Sequence, residues 1–85
     1  MNICVIGGAG YVGLITGVGL SCVGHSVVNI DVDQSRIAQL QLGEVIVYEE
    51  GTELLLKQGL KAGRIRFSTD FKQSVEESDV VFITV

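Results

Sequence analysis

The chain has 85 residues, 47% of them apolar, with six basic residues against ten acidic ones and a formal net charge of −4. That length holds at most one small domain, and the apolar fraction is too high for a disordered chain. The acidic balance, with no basic cluster and no interleaved aromatics, argues against a nucleic-acid or anionic-membrane surface, because both need a positive patch.

Ile3-Cys4-Val5-Ile6 is a short, continuous apolar run that ends at glycines, the pattern of a strand buried on both faces. The next stretch, GGAGYVGLITGVGL at 7–20, admits three readings. Gly8, Gly10 and Gly13 make a G-x-G-x-x-G, the spacing of a loop that cradles a dinucleotide pyrophosphate. Gly7, Gly10 and Gly13 make the G-x-x-G-x-x-G of short-chain dehydrogenases and sugar-nucleotide epimerases. Gly13 and Gly17 make a G-x-x-x-G in an uncharged run, as in packed transmembrane helices.

From Tyr11 to about Val23 the chain has the length of a helix, although Gly13, Gly17 and Gly19 each cost roughly 1 kcal/mol relative to Ala. Such a sequence makes sense where a helix face must lie close against a sheet. Gly24-His25 breaks the helix, His25 being read as structural, and Val27–Asp31 is a second strand. Asp33 caps a helix presenting Ile37, Leu40 and Ala38, which Gly43 closes. Gly51-Thr52 opens another, with Thr52 as cap, Glu53–Lys57 as an i,i+4 pair, Leu56 and Leu60 on its buried side, and Gly63 at its end. Ile65 and Phe67 alternate with Arg64, Arg66 and Ser68 as in a half-exposed strand. A short helix is predicted from about Asp70 to Glu77 with Phe71 and Val75 on one face, and Asp79–Val85 is a fourth strand.

This alternation is the grammar of an α/β fold, a Rossmann-like doubly wound parallel sheet, of which about four strands are present. Residues 1–85 are therefore expected to be the N-terminal part of a single dinucleotide-binding domain. Met1 to Ile30 carries no charge except on His25, and roughly 20 apolar residues can span a bilayer. The run lacks flanking Lys or Arg and is broken by Gly7, Gly8 and Gly10, so the α/β reading is preferred. Cys4 and Cys22 form no C-x-x-C and are read as small buried apolar residues. Unpaired thiols without a convincing signal peptide suggest a reducing, cytoplasmic setting.

On this map Gly8, Gly10 and Gly13 fall between the first strand and the first helix, where unpaired N–H groups and the helix dipole favour phosphate. Asp31 follows Gly13 by 18 positions, at the end of the second strand. A carboxylate there accepts from the ribose hydroxyls of adenosine and repels a 2′-phosphate, favouring NAD over NADP. Arg36 can reach the same ribose, and its guanidinium is the feature that leaves NADP open. The plainer alternatives are a solvated turn carboxylate for Asp31 and a helix-surface charge for Arg36.

Over nearly its whole length the chain resembles the UDP-glucose/GDP-mannose dehydrogenase family. The resemblance rests on GYVGLITG at 10–17, GHSVVNIDVDQSRI at 24–37, GEVIVYEEG at 43–51 and GRIRFSTDFKQSVEESDVVFITV at 63–85. It implies NAD as cofactor, a nucleotide sugar oxidised twice at C6 as substrate, and a homo-oligomer as a possible assembly. It also implies a pyrophosphate loop of Gly8, Ala9, Gly10, Tyr11, Val12 and Gly13, a ribose pair of Asp31 and Arg36, and Val85 bordering the cofactor. The sequence departs from the family pattern by one extra residue around Gly7-Gly8 and by IVYEEG where prolines are usual. The family's nucleophilic cysteine, its lysine and asparagine partners and its sugar-binding domain lie downstream of residue 85, so this segment alone is expected not to catalyse the reaction. Tyr48, Glu49 and Glu50 are given no catalytic role. Two alternatives stand beside this: an extended short-chain reductase or epimerase acting on a nucleotide sugar, and a truncated, non-catalytic binding module whose fourth strand leaves an open edge.

Overall fold

The computed structural model describes residues 1–45 and 51–84. The first strand, β1 (Asn2–Ile6), lies inside the sheet rather than at its edge. It pairs in parallel with β2 (Ser26–Ile30) on one side and with the last strand, Val80–Ile83, on the other. The strand Ile65–Ser68 adds to the outer side of β2; numbering these two β3 and β4 gives the order β3-β2-β1-β4, all parallel. The apolar run of β1 is thus explained: Cys4 and Val5 have no exposed surface at all.

The helices divide between the two faces as chain direction requires. From β1 to β2 to β3 the chain steps one way across the sheet, and from β3 to β4 it steps back across β2 and β1. Right-handed crossovers then put the last helix on the opposite face from the earlier ones. Accordingly α1 (Tyr11–Cys22), α2 (Gln34–Gln41) and α3 (Thr52–Ala62) cover one face, where Leu14, Val18, Ile37, Leu40 and Leu56 meet Ile3, Val5, Val27, Ile65 and Phe67. Burying a side chain such as Leu56 contributes about 2 kcal/mol. The helix α4 (Phe71–Glu76) covers the other, with Phe71 against Cys4, Val28 and Ile30.

Several local expectations hold in atomic detail. The Asp33 carboxylate accepts from the Arg36 N–H at the start of α2, Glu53 and Lys57 pair at 3.2 Å, and Gly63 closes α3 with φ +72°. His25 sits half-buried in the turn between α1 and β2, its N–H donating to the Leu20 carbonyl.

Others are corrected. The cap of α3 is Gly51 at φ +85°, and Thr52 is the first helical residue and is buried. In α4 the buried residue is Ser74, while Val75 is 40% exposed, because a helix this short touches the sheet mainly through Phe71 and Ser74. Ala38 is exposed beside the buried Ile37. Cys4 is buried as expected, but Cys22 is exposed, since it ends α1 past the edge of the covered face. The apolar run of β4 is not buried: Val80, Val81, Phe82 and Ile83 are 36–70% exposed. As an edge strand beyond β1, β4 lies outside the cover that the described helices give to β1–β3. Among the described residues no helix is long and apolar enough to cross a membrane, which removes the transmembrane reading of Gly13 and Gly17.

Candidate functional site

Chain direction across the sheet reverses between β1 and β4, and in open parallel sheets ligands bind at such a switch point, outside the carboxyl ends of the strands. The glycine loop occupies that place. It leaves β1 at Gly7, whose φ of +83° makes the turn, and the N–H groups of Gly7 and Gly8 both donate to the Ile30 carbonyl at the end of β2. Gly10 then starts α1 in extended backbone.

Each glycine is required for a different reason. A Cβ on Gly8 would stand 2.4 Å from Cβ of Asn29, where the loop crosses β2. A Cβ on Gly13 would stand 2.2 Å from the Gly7 carbonyl oxygen and 2.7 Å from Oγ1 of Thr84, where the first turn of α1 rests on the loop and on the end of β4. Gly10 is the exception. Its φ of −77° suits any residue, and the nearest atom to an added Cβ is 3.4 Å away. Among the described residues nothing needs a glycine there, and its half-buried backbone carries no side chain at the start of α1. That helix carries no acidic residue in its first turn and no side-chain cap. The amino end of such a helix carries a partial positive charge. Ala9 is buried beside Gly10, whereas Tyr11 and Val12 are 44% and 62% exposed.

Asp31 and Arg36 converge on this loop from β2 and α2. The Asp31 carboxylate accepts from the Ala9 N–H at 3.2 Å through one oxygen and from the Asp33 N–H at 3.1 Å through the other. A carboxylate has about four lone-pair sites, so half its accepting capacity stays open. Arg36 donates from a guanidinium nitrogen to the Ala9 carbonyl at 3.4 Å, leaving most of its donors uncommitted. The structure thus brings Gly8, Ala9, Gly10, Tyr11, Val12, Gly13, Asp31 and Arg36 to one end of the sheet. Val85 and the Tyr48, Glu49, Glu50 segment lie outside the described residues.

Two residues of this region escaped the sequence reading. Thr84 follows β4, and its hydroxyl donates to the Ile6 carbonyl at 2.7 Å, tying the last described turn of the sheet to the root of the loop. Asn29 is fully buried in β2, in register between Val5 and Phe67. Its amide nitrogen donates to the carbonyls of Gly8 and Gly13, both at 3.1 Å, and its Oδ1 has no partner among the described residues. The signal was a single polar residue inside the apolar run VVNI, on the strand face that α1 covers.

On the face of the sheet that α4 covers, burial pushes the Cys4 thiol above its ordinary value, against the opposing pull of the Ser78 hydrogen bond and the Arg66 charge. Hydrogen bonds from Gln73 and Arg66 hold Glu77 below the usual carboxylate range. Both groups lie away from the glycine loop.

A parallel sheet in 3-2-1-4 order, with a glycine loop and an uncapped helix start at its switch point, defines a dinucleotide-binding α/β unit. Comparison with known proteins narrows this to a family. The model for the UDP-glucose/GDP-mannose dehydrogenase family, NAD binding domain, matches residues 1–85, and the chain belongs to that family. It is 42% identical over 85 residues to a UDP-glucose 6-dehydrogenase of Bacillus subtilis, covering 100% of this chain and 19% of the relative. It is 44% identical over 78 residues to a GDP-mannose 6-dehydrogenase of Pseudomonas aeruginosa, covering 92% of this chain and 18% of the relative. The crystal structure of a ternary complex of GDP-mannose dehydrogenase from Pseudomonas aeruginosa superposes with a TM-score of 0.95 at 42% identity, over 100% of this chain and 19% of that one. A UDP-glucose dehydrogenase structure from Pyrobaculum islandicum follows at 0.91 and 37% identity, over 99% and 19%. The chain thus spans about a fifth of the length of these relatives. The family decides against the short-chain reductase and epimerase reading, and its cofactor is NAD.

Proposed function

We propose that residues 1–85 form the N-terminal part of the dinucleotide-binding domain of a nucleotide-sugar 6-dehydrogenase. The backbone from Gly8 to Gly13 receives the NAD pyrophosphate and Asp31 receives the adenosine ribose. The observation that carries this is Gly10: a glycine that neither backbone conformation nor packing among the described residues requires, at a helix start without a side-chain cap. A phosphate approaching that backbone would collide with any Cβ.

Asp31 supports the NAD preference, because its two bonds to Ala9 and Asp33 orient the carboxylate while leaving acceptor sites for a ribose 2′-hydroxyl. A 2′-phosphate in the same place would meet a like charge. Arg36, anchored at Ala9, stands beside Asp31 to border the same ribose, and Val85, outside the described residues, is assigned to the cofactor's edge by the family resemblance alone. Bound NAD supplies the hydride acceptor for oxidation of an alcohol. This segment's own residues bind and orient it, and none of them is assigned the chemistry at the sugar. A nucleotide sugar as substrate, a homo-oligomeric assembly and a cytoplasmic location complete the proposal, supported by what the relatives are named for and by the two unpaired thiols.

The test is thermal unfolding with and without ligand. NAD at a hundred times its dissociation constant should stabilise the chain by about 2.7 kcal/mol, whereas NADP at the same concentration should do far less. Asp31→Asn should narrow the gap between the two cofactors. Should NAD leave the transition where it was, the proposal is wrong.

A further inference from the structure

We infer that Asn29 is a positioning residue that sets the affinity of this site for the pyrophosphate half of its ligand; the inference rests on the NAD reading above. Nothing about Asn29 resembles an ordinary strand residue. It is a fully buried amide in the core row between Val5 and Phe67, and one of its polar atoms has no partner among the described residues. A buried polar group held at that cost needs a compensating role. Its amide nitrogen spends both hydrogens on the loop, one on the Gly8 carbonyl and one on the Gly13 carbonyl. Reversing the amide would set its oxygen against those two carbonyl oxygens, so the orientation follows from its neighbours.

The Gly8 contact has a consequence for charge. In a trans peptide the carbonyl and the following N–H point opposite ways. Asn29 holds the Gly8 carbonyl down toward the sheet, and the Ala9 N–H of the same peptide donates to Asp31. The Gly8–Ala9 peptide is thus fixed at both ends with its oxygen turned away from the mouth of the loop. Gly8 is free to adopt other conformations, so without Asn29 that peptide can rotate and turn an acceptor oxygen toward the phosphates. The Gly13 bond does the same work one turn into α1, seating the helix start on the loop. Close packing locks the amide in place: Cβ of an alanine at 17 would stand 2.1 Å from Oδ1, and one at 8 would stand 2.4 Å from Cβ of Asn29.

The experiment compares NAD with adenosine, which lacks the pyrophosphate, by ligand-detected NMR titration of the 85-residue chain. Partial unfolding weakens both ligands by the same factor, because only the folded fraction binds. The ratio of the two dissociation constants therefore reports the loop and not stability. Asn29→Ala should weaken NAD about tenfold, the loss expected from about one net hydrogen bond, and leave adenosine within about twofold. Asn29→Asp keeps the shape but carries no donor when ionised, so its NAD-to-adenosine ratio should be poor at pH 8. The ratio should improve toward pH 5 as the protonated carboxyl regains one donor, while that of the wild type stays flat. If both variants keep the wild-type ratio at every pH, Asn29 is only a packing residue and the inference is overturned. A wild-type chain that binds NAD no better than adenosine would instead overturn the NAD reading, and this inference with it.

Discussion

Two glycines of α1 should answer the same substitution with opposite signs. On helix propensity alone, Gly→Ala at an interior position stabilises by about 1 kcal/mol. At Gly19 nothing lies within 4 Å of the added Cβ. Gly19→Ala should therefore gain most of that amount and raise the unfolding midpoint by about 4–8 °C. At Gly17 the same Cβ would stand 2.1 Å from Oδ1 and 2.5 Å from Nδ2 of Asn29. That amide is fully buried and cannot swing aside without releasing the Gly8 and Gly13 carbonyls. Overpacking costs about 1–3 kcal/mol and a broken buried pairing about 1 more, against the propensity gain of about 1, so Gly17→Ala should lose about 2 kcal/mol. Urea and thermal unfolding of the wild type and both variants, followed by circular dichroism, should place the two about 3 kcal/mol apart. If Gly17→Ala is as stable as the wild type, Asn29 does not lie under α1 and the account of the loop built on it fails.

Gly10→Ala should separate binding from folding. It should cost no more than about 1 kcal/mol, as at other helix N-caps, yet weaken NAD at least tenfold, and equal NAD binding by the variant would contradict the role given to that backbone. The two thiols should react with a disulfide reagent in two phases, exposed Cys22 at once and buried Cys4 only as the chain unfolds; simultaneous reaction would show that Cys4 is accessible. Because the folded state raises the Cys4 value, the stability this implies is present below the unfolded thiol's pKa, ordinarily 9.0, and lost as pH climbs through the folded one. Cys4→Ala should remove that alkaline loss, whatever it does to stability at neutral pH. Glu77 has the reverse sign: its depressed value gives stability present above the ordinary carboxylate pKa, 4.5, and lost as pH falls through the folded value. Glu77→Gln should flatten this part of the acid limb only slightly, because the Arg66–Glu77 pair is exposed.

Much of the site was legible because its chemistry is local in the chain. The loop from Gly8 to Gly13 sits between a strand and a helix that their own residues announce, and Asp31 ends a strand whose apolar run marks its own boundary. Arg36 lies one turn into a helix that Asp33 caps as expected. The misreadings share a cause. Thr52, Val75 and Cys22 were judged by residue type, whereas their burial depends on how far a neighbouring element reaches. Thr84 and Asn29 were overlooked because their partners lie far along the chain. The hydroxyl of Thr84 meets Ile6 across 78 positions, and the amide of Asn29 meets Gly8 across 21 and Gly13 across 16.

By itself the sequence determined the order and kind of the elements, the parallel sheet and the place of the glycine loop within it. Periodicity, capping and turn chemistry act over a few residues, so they can be read without knowing what packs on what. Tertiary structure decided what each glycine is for. Gly7 turns the chain, Gly8 and Gly17 make room for Asn29, Gly13 rests on Gly7 and Thr84, and within the loop Gly10 is required by none of these. A glycine's missing side chain has no meaning until another part of the chain stands where that side chain would have been.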